Sequence, residues 1–192
     1  MEESWPHHIQ KMVRIFVQFL LNKVTLLNTL VVRKLKSGEI TKMNNNKISA
    51  EGIGLIKKFE GLELEAYQCS AGVWTIGYGH TKGVREGDVI SEDHANHLLE
   101  VELEEYEGYV NQYVKVPLKQ CHHDSLTAFV YNLGPNNFMN STLLRVLNEG
   151  QYEEVPAQIK RWNKASGQVL EGLVRRREAE ALLFEGKDWT HI

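Results

Sequence analysis

The chain has 192 residues, of which 42% are hydrophobic and 24% are charged, and it contains two cysteines. This composition suffices for one sizeable core and excludes collagen-like, low-complexity and wholly disordered classes. Two cysteines cannot form the disulfide framework of a small secreted domain. The net charge of −3 is unevenly distributed, since residues 1–48 carry eight Lys or Arg against three Glu and the remainder carries fourteen against twenty-two. Such an acidic body argues against nucleic acid as the main partner.

Residues 1–42 are predicted to be an N-terminal extension with its own composition. The run from Ile15 to Val32 is apolar over 18 residues but contains Lys23, which would cost about 2.5–3.5 kcal/mol at the centre of a bilayer. A membrane-spanning helix needs about 20 apolar residues. The run therefore favours an amphipathic helix that lies on an anionic membrane surface. The alternative is a leader that precedes the true start of the protein at Met43.

Residues 43–192 read as one domain that begins with a short helix and a hairpin. Ser49 is suited to be the N-cap of the helix, and apolar residues follow at helical spacing until Gly61. This places Glu60 at the C-terminal end of the helix. The segment Ala66–His80 alternates on either side of a turn signal, which predicts an antiparallel hairpin.

The rest of the chain is predicted to be helical after one further short strand at residues 88–90. A long amphipathic helix is expected over residues 92–114. Shorter helices are expected near residues 118–133, 141–149, 151–162 and 172–186. A small sheet-bearing lobe followed by a larger helical lobe is an α+β fold, with a cleft where the two lobes meet.

Glu60 is the first candidate for chemistry. Its carboxyl group follows Phe59 on a mostly apolar helix, where desolvation raises a carboxyl pKa and keeps a proton available for general acid catalysis. On the hairpin, Thr75, Gly77 and Gly79 share one face. Two glycines beside a hydroxyl predict either a bare floor on which a polymer lies or a bend in the backbone. The opposite face is expected to point into the core and consists of Trp74, Ile76 and Tyr78.

The stretch from Glu60 through the hairpin resembles the active-site segment of phage-type lysozymes, the endolysins of glycoside hydrolase family 24. The family pattern is a glutamate, eight residues, an aspartate or cysteine, five residues and a threonine within T-x-G-x-G-H. The corresponding residues here are Glu60, Cys69 and Thr75, and the signature spans Thr75–His80. Segments that resemble the helical lobe of the family extend the resemblance to about residues 47–187.

The resemblance implies a lysozyme-like fold and hydrolysis of the β-1,4 bond between N-acetylmuramic acid and N-acetylglucosamine in peptidoglycan. It implies a monomer without metal ion or other cofactor, made in the cytoplasm of an infected bacterium and reaching the cell wall at lysis. By position, Glu60 would protonate the glycosidic oxygen and Thr75 would place the attacking water. His80 would tie the hairpin to the other lobe, and Tyr131 and Asn132 would contact sugar from the opposite wall.

Cys69 departs from the pair of carboxylates that most glycosidases use. A thiol has a pKa of about 8.5 and is mostly neutral at pH 7 unless its neighbours lower that pKa. We interpret the residue as a functioning variant, whose thiolate stabilises an oxocarbenium-like transition state or acts as a base. Thiolate attack on carbon would give retention of configuration, and water attack would give inversion.

Two other classes of function stay open from the sequence. A zinc-dependent amidase is suggested by the segment from Cys121 to Asp124 and by His94 and His97. Against it, adjacent residues on a helix point about 100° apart, and no second cluster has the spacing of zinc ligands. A membrane-active or wall-binding protein is suggested by the basic, apolar extension over residues 1–42.

Overall fold

The computed structural model describes residues 46–69 and 72–192. The expected amphipathic helix within residues 1–42 lies outside the described residues and stays a prediction. No helix among the described residues is long and apolar enough to cross a membrane. In chain order the elements are α1 (Ala50–Glu60), β1 (Glu63–Gln68), β2 (Trp74–Gly77), α2 (Glu92–Tyr113), α3 (Gln120–Leu133), α4 (Pro135–Met139), α5 (Thr142–Asn148), a 3-10 turn (Tyr152–Glu154), α6 (Val155–Lys160), β3 (Lys164–Ala165), β4 (Gln168–Val169) and α7 (Glu171–Phe184).

Helix α1 begins and ends where the sequence predicts. The side chain of Ser49 accepts a hydrogen bond from the N–H of Glu51, which satisfies one of the unpaired donors of the first turn. The helix ends at Gly61, whose φ of 75° is a conformation that favours glycine. Leu55 is fully buried, so the helix is anchored by its apolar face. Glu60, the last residue of the helix, therefore lies at the edge of the core.

The predicted antiparallel hairpin is formed by β1 and β2, in which Tyr67 pairs with Thr75. The predicted third strand is reduced to a single bridge between Glu65 and Val89. A turn precedes that bridge and the N-cap of α2, Ser91, follows it. The chain therefore has no length there for a longer strand.

Helix α3 lies at the centre of the helical lobe and contacts α1, α2 and α7. Nine consecutive residues, from His122 to Val130, are buried. Leu126 and Phe129 belong to the hydrophobic cluster that includes α5 and α6, whereas Ala128 belongs to the cluster that includes α1. One helix therefore supports both parts of the core.

Two short elements differ from the sequence-based expectation, namely α4 and the hairpin of β3 and β4. Elements of five and two residues per segment carry too little periodicity to be recognised. The predicted helix at 151–162 is divided into the 3-10 turn and α6, because Pro156 in the first turn of α6 has no N–H with which to continue a preceding helix. The other predicted helices are found within two residues of their predicted ends, and the α+β class is confirmed.

Candidate active site

Glu60 forms an ion pair with Arg176 of α7. The distance from Nη1 of Arg176 to Oε1 of Glu60 is 2.6 Å, and the two side chains are 5% and 21% exposed, respectively. One oxygen of the carboxylate is thus bound to a buried cation while the side chain stays partly open to solvent. Arg176 is not among the site residues predicted from the sequence.

A second carboxylate, Glu180, lies behind this ion pair and is fully buried. Its Oε1 accepts a hydrogen bond from Nε of Arg176 at 3.1 Å and from Nη2 of Arg177 at 2.9 Å. Burial raises the pKa of the Glu180 carboxyl above its ordinary value, against the opposing effect of the two guanidinium groups. Nη2 of Arg177 also donates to Oδ1 of Asn132 at 2.8 Å. The network therefore links Glu60 to a residue expected to contact sugar.

Cys69 and Thr75 both donate a hydrogen bond to the carbonyl oxygen of Val73. The hydroxyl of Thr75, a residue that is 5% exposed, donates to this oxygen at 3.1 Å. The backbone N–H of Cys69 donates to the same oxygen at 3.0 Å. Both predicted hairpin residues of the catalytic set are thus anchored to one atom. No disulfide joins Cys69 to Cys121.

The two glycines of the hairpin signature have different surroundings. A Cβ added at Gly79, whose φ is 102°, would lie 3.8 Å from Oε2 of Glu60 and 3.9 Å from the hydroxyl oxygen of Tyr131. A Cβ added at Gly77 would instead lie 3.4 Å from the Cβ of Ala95 on α2. The expectation of one bare floor is therefore wrong for Gly77, because α2 covers it. The backbone of Gly79 faces Glu60.

His80 connects the hairpin to α2. Its Nδ1 lies 2.6 Å from Oε1 of Glu102, and its Nε2 lies 2.9 Å from the carbonyl oxygen of Lys82. Both ring nitrogens therefore have partners, and the ring orientation is fixed. Glu102 is a second residue that sequence reasoning did not identify.

Tyr131 lies on α3 with its ring edge-on to that of Tyr106, at a centroid distance of 5.0 Å. Its hydroxyl donates to the carbonyl oxygen of Tyr78 at 2.9 Å and lies 3.4 Å from Oε2 of Glu102. Burial raises the pKa of the Tyr131 hydroxyl far above its ordinary value, and the carboxylates of Glu102 and Glu60 raise it further. The hydroxyl therefore stays protonated and can donate.

The residues that suggested a zinc site have other surroundings. The ring of His122 stacks on Phe184 at a centroid distance of 4.4 Å, and His123 is fully buried beside it in sequence. Asp124 accepts hydrogen bonds from Ser49. The described part of the chain contains no group of three or more His, Cys, Asp or Glu that could hold a metal ion. The zinc-amidase interpretation therefore finds no ligand set there.

The sequence is similar to phage proteins along most of its acidic body. The family model named phage lysozyme matches residues 57–180. An endolysin of Acyrthosiphon pisum secondary endosymbiont phage 1 is 44% identical over 142 residues, covering 72% of this chain and 97% of the relative. The endolysin of Salmonella phage P22 is 36% identical over 143 residues, with 72% and 97% covered. The match to the endolysin of Bacillus phage B103, at 42% identity over 140 residues, spans about half of that relative, 53% of its length.

The fold is similar to solved structures of a muramidase domain and of a phage lysozyme. The muramidase domain of SpmX from Asticaccaulis excentricus has a TM-score of 0.70 and 41% identity, covering 73% of this chain and 98% of that one. A mutant of P22 lysozyme has a TM-score of 0.67 and 34% identity, with 73% and 99% covered. The predicted lysozyme-like fold and the predicted enzyme class are thereby confirmed. The chain belongs to the phage lysozyme family.

Proposed function

We propose that the protein is an endolysin that hydrolyses the β-1,4 bond between N-acetylmuramic acid and N-acetylglucosamine in bacterial peptidoglycan and so lyses the host cell. The observation that supports this most directly is the environment of Glu60. Its Oε1 is held by the buried Arg176, while its Oε2 faces the backbone of Gly79. One carboxyl oxygen is thus fixed by the protein, and the other is directed towards the hairpin, where it is placed to meet a glycosidic oxygen.

In this proposal, the proton of Glu60 passes to the glycosidic oxygen as the bond to the anomeric carbon breaks. Thr75 places the water whose oxygen attacks that carbon. Cys69, as a thiolate, stabilises the positive charge of the transition state and accepts the proton of the attacking water. The shared anchor at the carbonyl of Val73 supports a joint role for Cys69 and Thr75, because it holds both on one end of the hairpin.

Tyr131 and Asn132 are proposed to form the opposite wall of the cleft and to contact sugar. Because Oδ1 of Asn132 accepts a hydrogen bond from Arg177, the amide is oriented, and we assign its N–H₂ group to a sugar hydroxyl. For Tyr131 we assign the aromatic ring to the sugar, since its hydroxyl is engaged within the protein. Aromatic rings commonly supply such an apolar surface with a polar end.

The reaction is tested by digesting purified peptidoglycan and identifying the new ends by mass spectrometry. We expect muramic acid reducing ends, with full activity in EDTA. Glu60→Gln should remain folded and lose at least about 10²-fold in rate, because the amide has no proton to transfer. Release of amines without reducing sugar would identify an amidase or peptidase and overturn the proposal.

We also propose that the enzyme is made as a monomer in the host cytoplasm and reaches the wall at lysis. We further propose that residues 1–42 bind an anionic membrane surface. The support is the basic, apolar composition of this segment. Deletion of residues 1–42 should reduce lysis of intact Gram-negative cells while preserving lysis of permeabilised cells. Equal activity of the two proteins on both kinds of cell would contradict a role for the segment.

A further inference from the structure

The turn after β2, residues 78–80, is held from two directions, by Glu102 of α2 and by Tyr131 of α3. Oε1 of Glu102 contacts Nδ1 of His80 at 2.6 Å. Oε2 lies 3.4 Å from the hydroxyl of Tyr131, which donates to the carbonyl oxygen of Tyr78 at 2.9 Å. Glu102 thus holds His80 on one side of Gly79, and the hydroxyl of Tyr131, which lies near Oε2 of Glu102, holds Tyr78 on the other side.

These contacts fix the peptide units that flank Gly79. On one side the carbonyl of Tyr78 is bound by Tyr131. On the other, His80 is held by its ring and by reciprocal backbone hydrogen bonds with Ile76, each of 2.9 Å. Gly79 itself has a φ of 102°, a conformation that glycine can both adopt and leave at little cost in energy. Its conformation is therefore determined by its neighbours.

We propose that Glu102 and Tyr131 are positioning residues, which act through the turn after β2 to hold the backbone of Gly79 against Glu60. The inference rests on the proposed function, since it assumes that Glu60 is the general acid. The side of Gly79 that lacks a Cβ faces both Oε2 of Glu60 and the hydroxyl of Tyr131, at 3.8 and 3.9 Å. A shift of the turn after β2 therefore changes the space in which Oε2 meets the glycosidic oxygen.

The hydroxyl of Tyr131 has one proton, and the shorter of its two contacts is that to the carbonyl of Tyr78. Tyr78 is only 6% exposed, so its carbonyl loses its donor without ready replacement by water if the hydroxyl is removed. Phenylalanine preserves the ring and its packing on Tyr106. Tyr131→Phe is therefore a specific test of the hydroxyl, separate from the contact between the ring and sugar.

The same helix supplies matched controls. Tyr109 donates to Oε1 of Glu105 at 3.5 Å, on a part of α2 that is exposed. Tyr109→Phe removes a tyrosine hydroxyl that contacts a glutamate, and Glu105→Gln removes one negative charge from α2. Neither residue contacts the turn after β2 in the hydrogen bonds and ring contacts of the described residues.

The experiment measures kcat and KM for release of reducing ends from soluble peptidoglycan fragments, with Tm for each protein. Tyr131→Phe should lower kcat about 10-fold, with KM unchanged within about 2-fold, because small misplacements near the reacting atoms cost rate more than affinity. Glu102→Gln should act in the same direction. The double variant should lose little more than the worse single variant, since both substitutions release the same turn. The two control variants should keep parental kcat and KM.

A readout independent of turnover is amide hydrogen exchange at Gly79 and His80, which should be faster in Tyr131→Phe than in Tyr109→Phe. A higher KM with unchanged kcat would show that the hydroxyl contacts sugar and would overturn the inference, as would parental kcat or unchanged exchange. If Glu102→Gln fails to fold, Tyr131→Phe decides alone. Full activity of a folded Glu60→Gln protein would refute the proposed function instead, independently of the exchange result.

Discussion

The carboxylate of Asp124 on α3 accepts two hydrogen bonds from Ser49, one from the backbone N–H at 2.8 Å and one from the hydroxyl at 2.6 Å. Its Oδ1 also accepts a hydrogen bond from Nε2 of Gln120 at 2.8 Å. Asp124 is 1% exposed, so the start of α1, and with it the helix that carries Glu60, is fastened to the central helix by a buried charge.

Asp124→Asn should therefore lower the free energy of unfolding by about 1–3 kcal/mol, because hydrogen bonds to a buried charged acceptor are lost or weakened. The rate per folded molecule should stay parental at a temperature well below Tm, since the hydrogen bonds of Asp124 go to Ser49 and Gln120 and none goes to Glu60. Urea denaturation and peptidoglycan hydrolysis are the two measurements. Asp93→Asn, on the exposed start of α2, is the control and should change stability by less than about 1 kcal/mol. Equal losses in both variants would contradict the assignment.

Gly79→Ala should reduce activity, and Gly83→Ala should not. Both positions have positive φ, 102° and 79°, so alanine at either position carries backbone strain on the order of 1–3 kcal/mol. Only the Cβ at position 79 approaches Glu60, whereas a Cβ at position 83 has no heavy atom within 4 Å among the described residues. The comparison is made by rate at equal folded fraction, with Tm recorded for each. A parental rate for Gly79→Ala would remove this residue from the cleft wall.

The Cys69 side chain is expected to work as a thiolate. Alkylation should inactivate the enzyme, and saturating substrate should protect it. Cys69→Asp should retain activity and extend it to lower pH, because a carboxyl group ionises well below neutral pH whereas a thiol must first lose its proton. Cys69→Ser should be far less active, since a hydroxyl does not ionise in this range. Rates are followed from pH 4 to pH 9.

Cys121→Ala is the matched control for the thiol chemistry. Cys121 lies on α3, and its Sγ is 3.8 Å from where a Cβ added at Gly186 would lie. The side chain packs against one of the hydrophobic clusters. The variant should lose some stability and keep its specific activity and its sensitivity to alkylation. If Cys69→Ser and Cys69→Ala kept parental rates at every pH, Cys69 would not be catalytic, although Glu60 and Thr75 would keep their assignments.

His123 is expected to make the protein less stable in acid. Burial lowers the pKa of its ring from 6.5 to about 4, against a smaller opposite effect of Asp124. Because the unfolded chain binds this proton at higher pH than the folded protein does, the stabilisation is complete above pH 6.5 and is lost as the pH falls towards 4. The whole effect is about 3 kcal/mol.

His123→Leu should remove that pH dependence. Neither ring nitrogen of His123 has a hydrogen-bond partner among the described residues, so an apolar side chain forfeits no hydrogen bond there. Urea midpoints at pH 7.5, 6 and 5 should fall less steeply for the variant than for the parent. His97→Leu, on the exposed face of α2, should follow the parent. Parallel curves for parent and His123→Leu would show that other groups cause the acid sensitivity.

Local patterns were sufficient for the elements that position Glu60. Ser49 and Gly61 mark the ends of α1 by cap chemistry, and apolar spacing defines the long helix α2. Local patterns could not identify the residue that pairs with Glu60, because Arg176 is separated from Glu60 by 116 positions in the chain. No rule of residue spacing spans that distance. Charged residues three and four apart on a helix more often mark a solvated face than a buried network.

Alternation along the hairpin predicted two faces, but β2 ends at Gly77 and Gly79 lies in the turn that follows, so the alternation does not extend to Gly79. Gly77 and Gly79 are on the same face by counting, yet α2 packs on the first and Glu60 faces the second. Glu102 was similarly hidden among the many glutamates of α2, since its distinction lies in its contacts with His80 and Tyr131. Tertiary packing, which a single sequence does not encode locally, decides both cases.

Helix α3 contributes Leu126 and Phe129 to one hydrophobic cluster and Ala128 to the other. If α3 unfolds with either cluster, the other cluster therefore loses part of its packing as well. Heating should therefore melt residues 46–192 in a single cooperative transition, with the calorimetric enthalpy equal to the van't Hoff enthalpy. A substitution such as Leu126→Ala should shift this one transition to lower temperature without splitting it. The hairpin and the helical lobe would then share one melting temperature, and cleavage activity would disappear at the same temperature as the tertiary structure.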